Sequence, residues 1–357
     1  MVQRRQFLTL GAGLLSGCAG PIASDTDSAS DAPSRSPSTT EGTATATDAE
    51  TGTDSPTPAR YAGGTIPHQP TDRSRAPLTP EPIDGVENPI LTGDDVTDYG
   101  DVDYVADPFL FVEAGTYHLF FEVVNGDRTP DAVIGHATAS DPSSWEYQGV
   151  VLAKDAHTSF PLTWKAGGRY YMTPPTGKDV ELWTTDEASF PGGWEFSHHL
   201  IDRDYYSHDP VVFWYRDRWW LATDRGNTDL MLSHSPTLDR EGWTPHEGNP
   251  VAVNRHGARQ GGRAVVTGGT PHLFTQDLRE MYGEAVHGWR VTELTPTTFE
   301  YEHAGVVLEG SGEGWNALRM HQYDPWPVAE DRWLCAVDGA RDTGPSWAIG
   351  LYEFAPS

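Results

Sequence analysis

Beyond residue 85 the chain alternates short apolar runs with clusters of Gly, Pro, Asp and Asn. The runs are rich in β-branched and aromatic residues, and no long stretch carries the 3.6-residue period of an amphipathic helix, so they read as strands. One stretch, Val105 to Glu122 (VADPFLFVEAGTYHLFFE), reads as two apolar strands joined by a tight turn at Gly115. An Asp-Pro pair, Asp107-Pro108, opens the first strand, and Glu122 closes the second.

The pattern recurs. FPLTWKAGGRYYMTPP from Phe160 and DPVVFWYRDRWWLATD from Asp209 align with DPFLFVEAGTYHLFFE from Asp107 without a gap, at spacings of 53 and 49 residues. GGRAVVTGGTPHLFTQ from Gly261 and YDPWPVAEDRWLCAVD from Tyr323 are looser copies. Each is followed by a third strand-like run, and the first four by a fourth run. Four strands repeated about every 50 residues mark a propeller blade. The fold expected is all-β: a five-bladed β-propeller over 85–357. The last repeat lacks its fourth strand, and GVENPILTG (Gly85 to Gly93) resembles the fourth strand of the third repeat, HEGNPVAV, down to Asn-Pro. An N-terminal strand over Val86 to Leu91 is therefore expected to complete the last blade and close the ring, protecting edges that would otherwise be open.

In such a blade the start of the first strand and the end of the second lie on one face. Asp107, Phe160 and Asp209 hold the first position, with Arg263 and His321 near it in the last two blades. Glu122, Gln276 and Asp277 stand at the second, and loops on that face add His157 and Tyr282. Carboxylates, an Arg, His, an amide and aromatics on one rim suit a polyhydroxylated ligand. Each Asp-Pro also has a plain structural reading, as a turn in which the carboxylate accepts a backbone N–H, and Asp338 reads as a surface or turn residue.

Composition changes the picture at the ends. Residues 1–18 read as a processing signal: Arg4 and Arg5 precede a short apolar run, as in twin-arginine export, and LSGC resembles a lipobox ending at Cys18, the expected lipid-carrying residue. Residues 19–60 are an acidic, Ser- and Thr-rich tether expected to be disordered, and 61–84 an extended lead-in. The chain thus reads as exported and held on the outer face of the cytoplasmic membrane. The net charge is -28. Seven acidic and four basic residues precede Tyr61, which leaves 45 against 20, about -25, for the folded part. Only Lys154, Lys165 and Lys178 are lysines. That balance suits a hypersaline medium and excludes nucleic acid as a natural partner. Cys335 has no partner beyond the lipobox cysteine, so no disulfide framework is expected.

The Asp-Pro openings, in a series of five blades, resemble the propellers of arabinanase, levansucrase and invertase type. More narrowly, ADPFLF, YHLFFE, IGHATASDPSSWEY, HTSFP, HDPVVF, TQDLREMYG and ELTPTTFE resemble, as an ordered series, the N-terminal domain of glucosamine inositolphosphorylceramide transferases. The glycosidase resemblance implies a base Asp on the first blade, which Asp107 matches. It also implies a second Asp, where this chain has Phe160, and an acid Glu, where it has Asp209. The expectation is a lipid-anchored protein that acts on a glycan or glycoconjugate. As a glycoside hydrolase it would use Asp107 as base and Asp209 or Glu122 as acid; the alternative is a glycan-binding propeller without catalysis. Arg263, His321, Gln276, Asp277, His157 and Tyr282 would hold the sugar. No cofactor is certain; a divalent metal held in the channel with His321 is the open alternative.

Overall fold

In the computed structural model, which describes residues 58–355 except 71, 72, 176, 330 and 331, the apolar runs pair into five antiparallel sheets arranged as a ring. The signal, Cys18 and the tether up to residue 57 lie outside the described residues. A hairpin of β1 (Pro58–Tyr61) and β2 (Gly64–Pro70) comes first, then β3 (Glu81–Pro82). Blade 1 is β4 (Tyr104–Glu113), β5 (Thr116–Val124), β6 (Ala132–Ala139) and β7 (Trp145–Leu152). Blade 2 is β8 (Thr163–Ala166), β9 (Arg169–Met172), β10 (Val180–Thr185) and β11 (Glu195–Ile201). Blade 3 is β12 (Val211–Tyr215), β13 (Arg218–Arg225) and β14 (Asp229–Ser235), with β15 (Thr244–Pro245) and β16 (Ala252–Val253) both paired to β14. Blade 4 is β17 (Val265–Thr267), β18 (Thr270–Gln276), β19 (Ala285–Leu294) and β20 (Phe299–Glu309). Blade 5 is β21 (Tyr323–Ala329), β22 (Arg332–Ala340), β23 (Trp347–Phe354) and β3.

Ring closure by the N-terminal segment holds, with a different register from the one expected. The two-residue β3 pairs with Tyr352 and Glu353, and further along only Leu91 bridges to Ile349. Between them a side chain replaces the ladder. Asn88 Oδ1 accepts the Leu351 N–H at 2.8 Å and its Nδ2 donates to the Leu351 carbonyl at 3.2 Å. Asn249 treats Leu232 of β14 in the same way, at 2.8 and 2.7 Å. The shared Asn-Pro is therefore one device used twice: an amide side chain standing in for a strand's backbone.

The lead-in is not simply extended. The β1–β2 hairpin lies across the end of the channel opposite the starts of the first strands. Thr65 accepts the Gly167 N–H of blade 2 at 3.1 Å, and Arg73, just beyond β2, accepts that of Gly268 in blade 4. Gln69 exchanges two bonds with the Trp214 backbone of blade 3, at 2.9 and 3.0 Å, and His68 stacks on Trp326 of blade 5 at 5.4 Å. Glycine is required where the hairpin touches blade 2, because a Cβ on Gly167 (φ +58°) would come 2.3 Å from the Gly63 carbonyl. Among the described residues the channel therefore has one free mouth, formed by the starts of the first strands and the ends of the second.

Candidate functional site

Asp107-Pro108 does not open its strand. It forms a bulge inside β4, between Ala106, which faces Glu122, and Phe109, which faces Phe120. Bulges are among the few places in a sheet where Pro costs no ladder bond. Asp107 has φ +51°, and Phe160 and Asp209, in the same register of blades 2 and 3, have +43° and +45°. Side-chain-bearing residues seldom adopt this conformation, and it collects at functional sites. Here it aims backbone N–H groups at the preceding blade: Asp107 donates to Asp338 Oδ2 at 3.0 Å, and Phe160 donates to Asp107 Oδ2 at 3.2 Å. In blade 4 the neighbouring backbone comes too close for a side chain, since a Cβ on Gly262 (φ +141°) would lie 1.7 Å from the Tyr323 carbonyl oxygen. That is a physical reason for the missing Asp-Pro in that blade.

The mouth is a set of carboxylates, each with a different partner. Asp338 is fully buried and accepts four N–H groups: the backbones of Asp107, His321 and Gln322, at 3.0, 3.1 and 3.0 Å, and His321 Nδ1 at 2.8 Å. That fills a carboxylate's acceptor capacity and fixes the imidazole, whose Nε2 stands 3.8 Å from Asp107 Oδ1. Asp209 Oδ2 is held by Arg259 Nε at 2.5 Å and by Gln276 Nε2 at 2.8 Å. Glu122 Oε1 meets His157 Nε2 at 3.0 Å, and His157 Nδ1 reaches Asp131 at 3.2 Å. Tyr282 stands edge-on to His321 at 5.3 Å with Arg259 over its ring at 5.3 Å, and Trp347 stacks on His321 at 4.0 Å.

Burial pushes the Asp107 carboxyl well above the usual range. His321 opposes this, while the charges of Glu122, Asp209 and Asp338 add to it. His321 is itself raised, because Asp338 and Asp107 outweigh its burial. The hydrogen bond that His157 donates to Glu122 raises it, against its burial, to about 9. Gln276 Oε1 is buried and has no hydrogen-bond partner among the described residues.

Two residues expected at the mouth belong to other groupings. Arg263 is buried in an ion pair with Asp324 at 2.8 Å, donates to the Leu110 carbonyl at 3.2 Å and lies over Trp326 at 5.0 Å. It ties blade 4 to blades 5 and 1, as Asp324 does by accepting the Leu110 N–H at 2.7 Å. Asp277 turns away from Gln276 to Arg279 and His287, at 2.7 and 3.0 Å, and these bonds draw it down to about 2 against its burial. Brought together are Asp107, Glu122, Asp209, His157, Gln276, Tyr282 and His321. Sequence reasoning missed Arg259 and Trp347 and read the buried Asp338 as a turn. The only available signal for Arg259 was its place just ahead of the fourth blade's first strand.

Asp107, His321 and Asp338 offer ligand atoms within 4.8 Å of one another. They fit a divalent ion poorly. Asp338 and His321 Nδ1 are spent on each other and on backbone N–H groups, which leaves His321 Nε2 and Asp107, far short of the six to eight oxygens calcium takes.

Residues 70–340 match the family described as "Glucosamine inositolphosphorylceramide transferase 1, N-terminal". Glucosamine inositolphosphorylceramide transferase 1 of Oryza sativa subsp. indica is 31% identical over 286 residues, covering 75% of this chain and 38% of the rice protein. The Arabidopsis thaliana protein of the same name is 29% identical over 274 residues, covering 72% and 35%. The chain thus spans little more than a third of the length of these relatives. An α-L-arabinofuranosidase from Podospora anserina, in complex with cellotriose, has the same fold, with a TM-score of 0.57 at 14% identity over 80% of this chain and 98% of that one. A glycosyl hydrolase from Bacteroides ovatus superposes with a TM-score of 0.58 at 11% identity over 80% and 97%.

Proposed function

This chain belongs to the glucosamine inositolphosphorylceramide transferase 1 N-terminal family, and we propose that its channel mouth is a carbohydrate site that processes a glycan or glycoconjugate by acid–base catalysis. The observation that carries the reading is the Asp107 carboxyl, buried beside Glu122 and Asp209 and raised well above the usual range. Glycoside hydrolysis needs one carboxyl that keeps a proton for the leaving oxygen and a second that activates water or attacks the sugar. In this reading the roles expected from the resemblance are exchanged: Asp107, whose carboxyl burial raises, is the acid. Asp209 is the second group. It comes from blade 3, across the mouth from blade 1, and its Oδ1 takes no donor among the described residues, while Arg259 and Gln276 orient Oδ2. Glu122 helps keep the proton on Asp107. Tyr282, 45% exposed, offers a ring on which a sugar face stacks.

Turnover of a glycan by Asp107→Asn should fall about 10²- to 10⁴-fold, the scale of one general acid, with binding retained. A second reading, glycan binding without chemistry, draws on the structural duty of Asp107, which accepts the Phe160 N–H. Binding by the wild type with no cleavage of any bound glycan decides for it.

In the same proposal the chain is a halophilic lipoprotein, exported by the twin-arginine route and anchored outside the cell through Cys18; the support is the order of Arg4, Arg5, the apolar run and LSGC. Cys18→Ser should move the protein from the membrane fraction to the medium. A variant that stays in the membrane fraction removes the anchor.

A further inference from the structure

A cavity of 280 Å³ opens on the same face as the mouth. It lies between the segment that closes the ring, at Pro89 and Asp94, and a wall of Trp315 and Trp347. Trp347 belongs to both places. It stacks on His321 at 4.0 Å with the planes 18° apart, and it also lines the cavity. Trp315 is seated on glycines: a Cβ on Gly339 of β22 would come 2.8 Å from the indole, and one on Gly350 of β23 would come 2.6 Å from it. Neither strand can carry a larger residue there without lifting the ring. Asp94, Asp103, Arg341 and Ser346 stand at the polar edge of the same cavity. The larger cavity beside β3, 640 Å³ and lined by Arg75, Glu81, Asp84 and Glu353, shares no residue with the mouth.

A flat indole with hydrogen-bonding groups at its edge is what a sugar ring requires: its C–H face packs on the aromatic and its hydroxyls bond at the rim. Two carboxylates against one guanidinium disfavour an anionic unit. Resting on the carbohydrate reading of the mouth, we propose that this crevice is a second subsite, which takes a neutral sugar unit. The ligand is then longer than one sugar and runs from the mouth past the edge of Trp347, whose ring is covered by His321 and Arg319, onto Trp315.

The test is a glycan array of monosaccharides and their oligosaccharides, probed with the wild type, Trp315→Ala, Trp315→Phe, Asp94→Ala and Tyr282→Ala, each checked for native circular dichroism. The wild type should prefer oligosaccharides. Trp315→Ala should lose about tenfold on them, the scale of one stacking contact, and nothing on the monosaccharide of the same series. Trp315→Phe should restore most of the loss. Asp94→Ala, at an exposed position outside the core, should weaken the same probes. Tyr282→Ala should weaken short and long probes alike. If Trp315→Ala and Asp94→Ala bind every probe as the wild type does, the subsite falls and the mouth stands. Should the wild type bind no glycan, the carbohydrate reading falls and the subsite with it.

Discussion

The carboxylates of the mouth are distinguished by their donors. Asp338 is saturated by four N–H groups and serves as an anchor, while Asp107, which accepts one backbone N–H at 3.2 Å, is raised well above the usual carboxylate range by its burial. Glu122 is bridged to His157, and the bridge predicts a pH dependence. A histidine whose value is raised on folding stabilises the fold fully below its ordinary value of about 6.5. That contribution is lost as pH rises through about 9. The His157 side chain is 51% exposed, so water weakens the effect on stability, and the sharper observable is the titration itself. The His157 ring protons in an NMR titration should move with a midpoint near 9, and Glu122→Gln should bring the midpoint down. An unshifted wild-type midpoint removes the bridge. The sequence marked both residues as candidates but not as partners, because His157 lies 35 residues along the chain from Glu122, beyond the blade's outer strands.

At the scale of elements, the fourth strand of blade 5 is barely a strand. Its hold on β23 rests on two residues of β3, one bridge at Leu91 and the Asn88 amide. Asn88→Ala removes two hydrogen bonds at a half-buried place and leaves the Leu351 backbone unpaired, a cost of about 1–3 kcal/mol. Chemical denaturation should show a loss of that size, and Asn249→Ala should show a similar one in blade 3. An unchanged midpoint for Asn88→Ala would mean that the ladder alone closes the ring. The shared Asn-Pro made the closure legible. The exact pairing was not, because the bonds that fix it come from a side chain, and alternation of apolar residues carries no record of those. The hairpin across the far end was illegible for a related reason: its short strands carry Gly64, Pro67 and Pro70, and they read as loop until blades 2 to 5 supply their partners.

For the whole molecule, the dominant fact is a net charge of about -25 on the folded part. Self-repulsion at that density opposes compaction unless salt screens it, and the screening length falls from about 10 Å at 0.1 M to about 3 Å at 1 M. The melting temperature should therefore rise steeply with potassium chloride across this range. A melting temperature indifferent to salt would argue against adaptation to a saline medium. The ring also decides which cations reach the mouth. Arg263, a sugar-holding candidate by its position, is taken up by Asp324 from the neighbouring blade, whereas Arg259, unmarked in the sequence, faces Asp209 and Tyr282 in the mouth.

The sequence by itself determined the repeat, the number of blades, the use of the N-terminal segment to close the ring, and the face on which most of the candidate site residues gather. All four follow from spacing and from the two-residue period of strands, which are local properties of the chain. Only the tertiary structure decided which carboxyl burial raises, that Asp107 lies in a bulge, that Arg263 and Asp277 leave the site, and that a hairpin crosses the far end of the channel. Those outcomes depend on contacts between blades, where residues far apart in the chain set one another's burial and charge. No pattern within a single blade encodes the partner that the next blade brings to it.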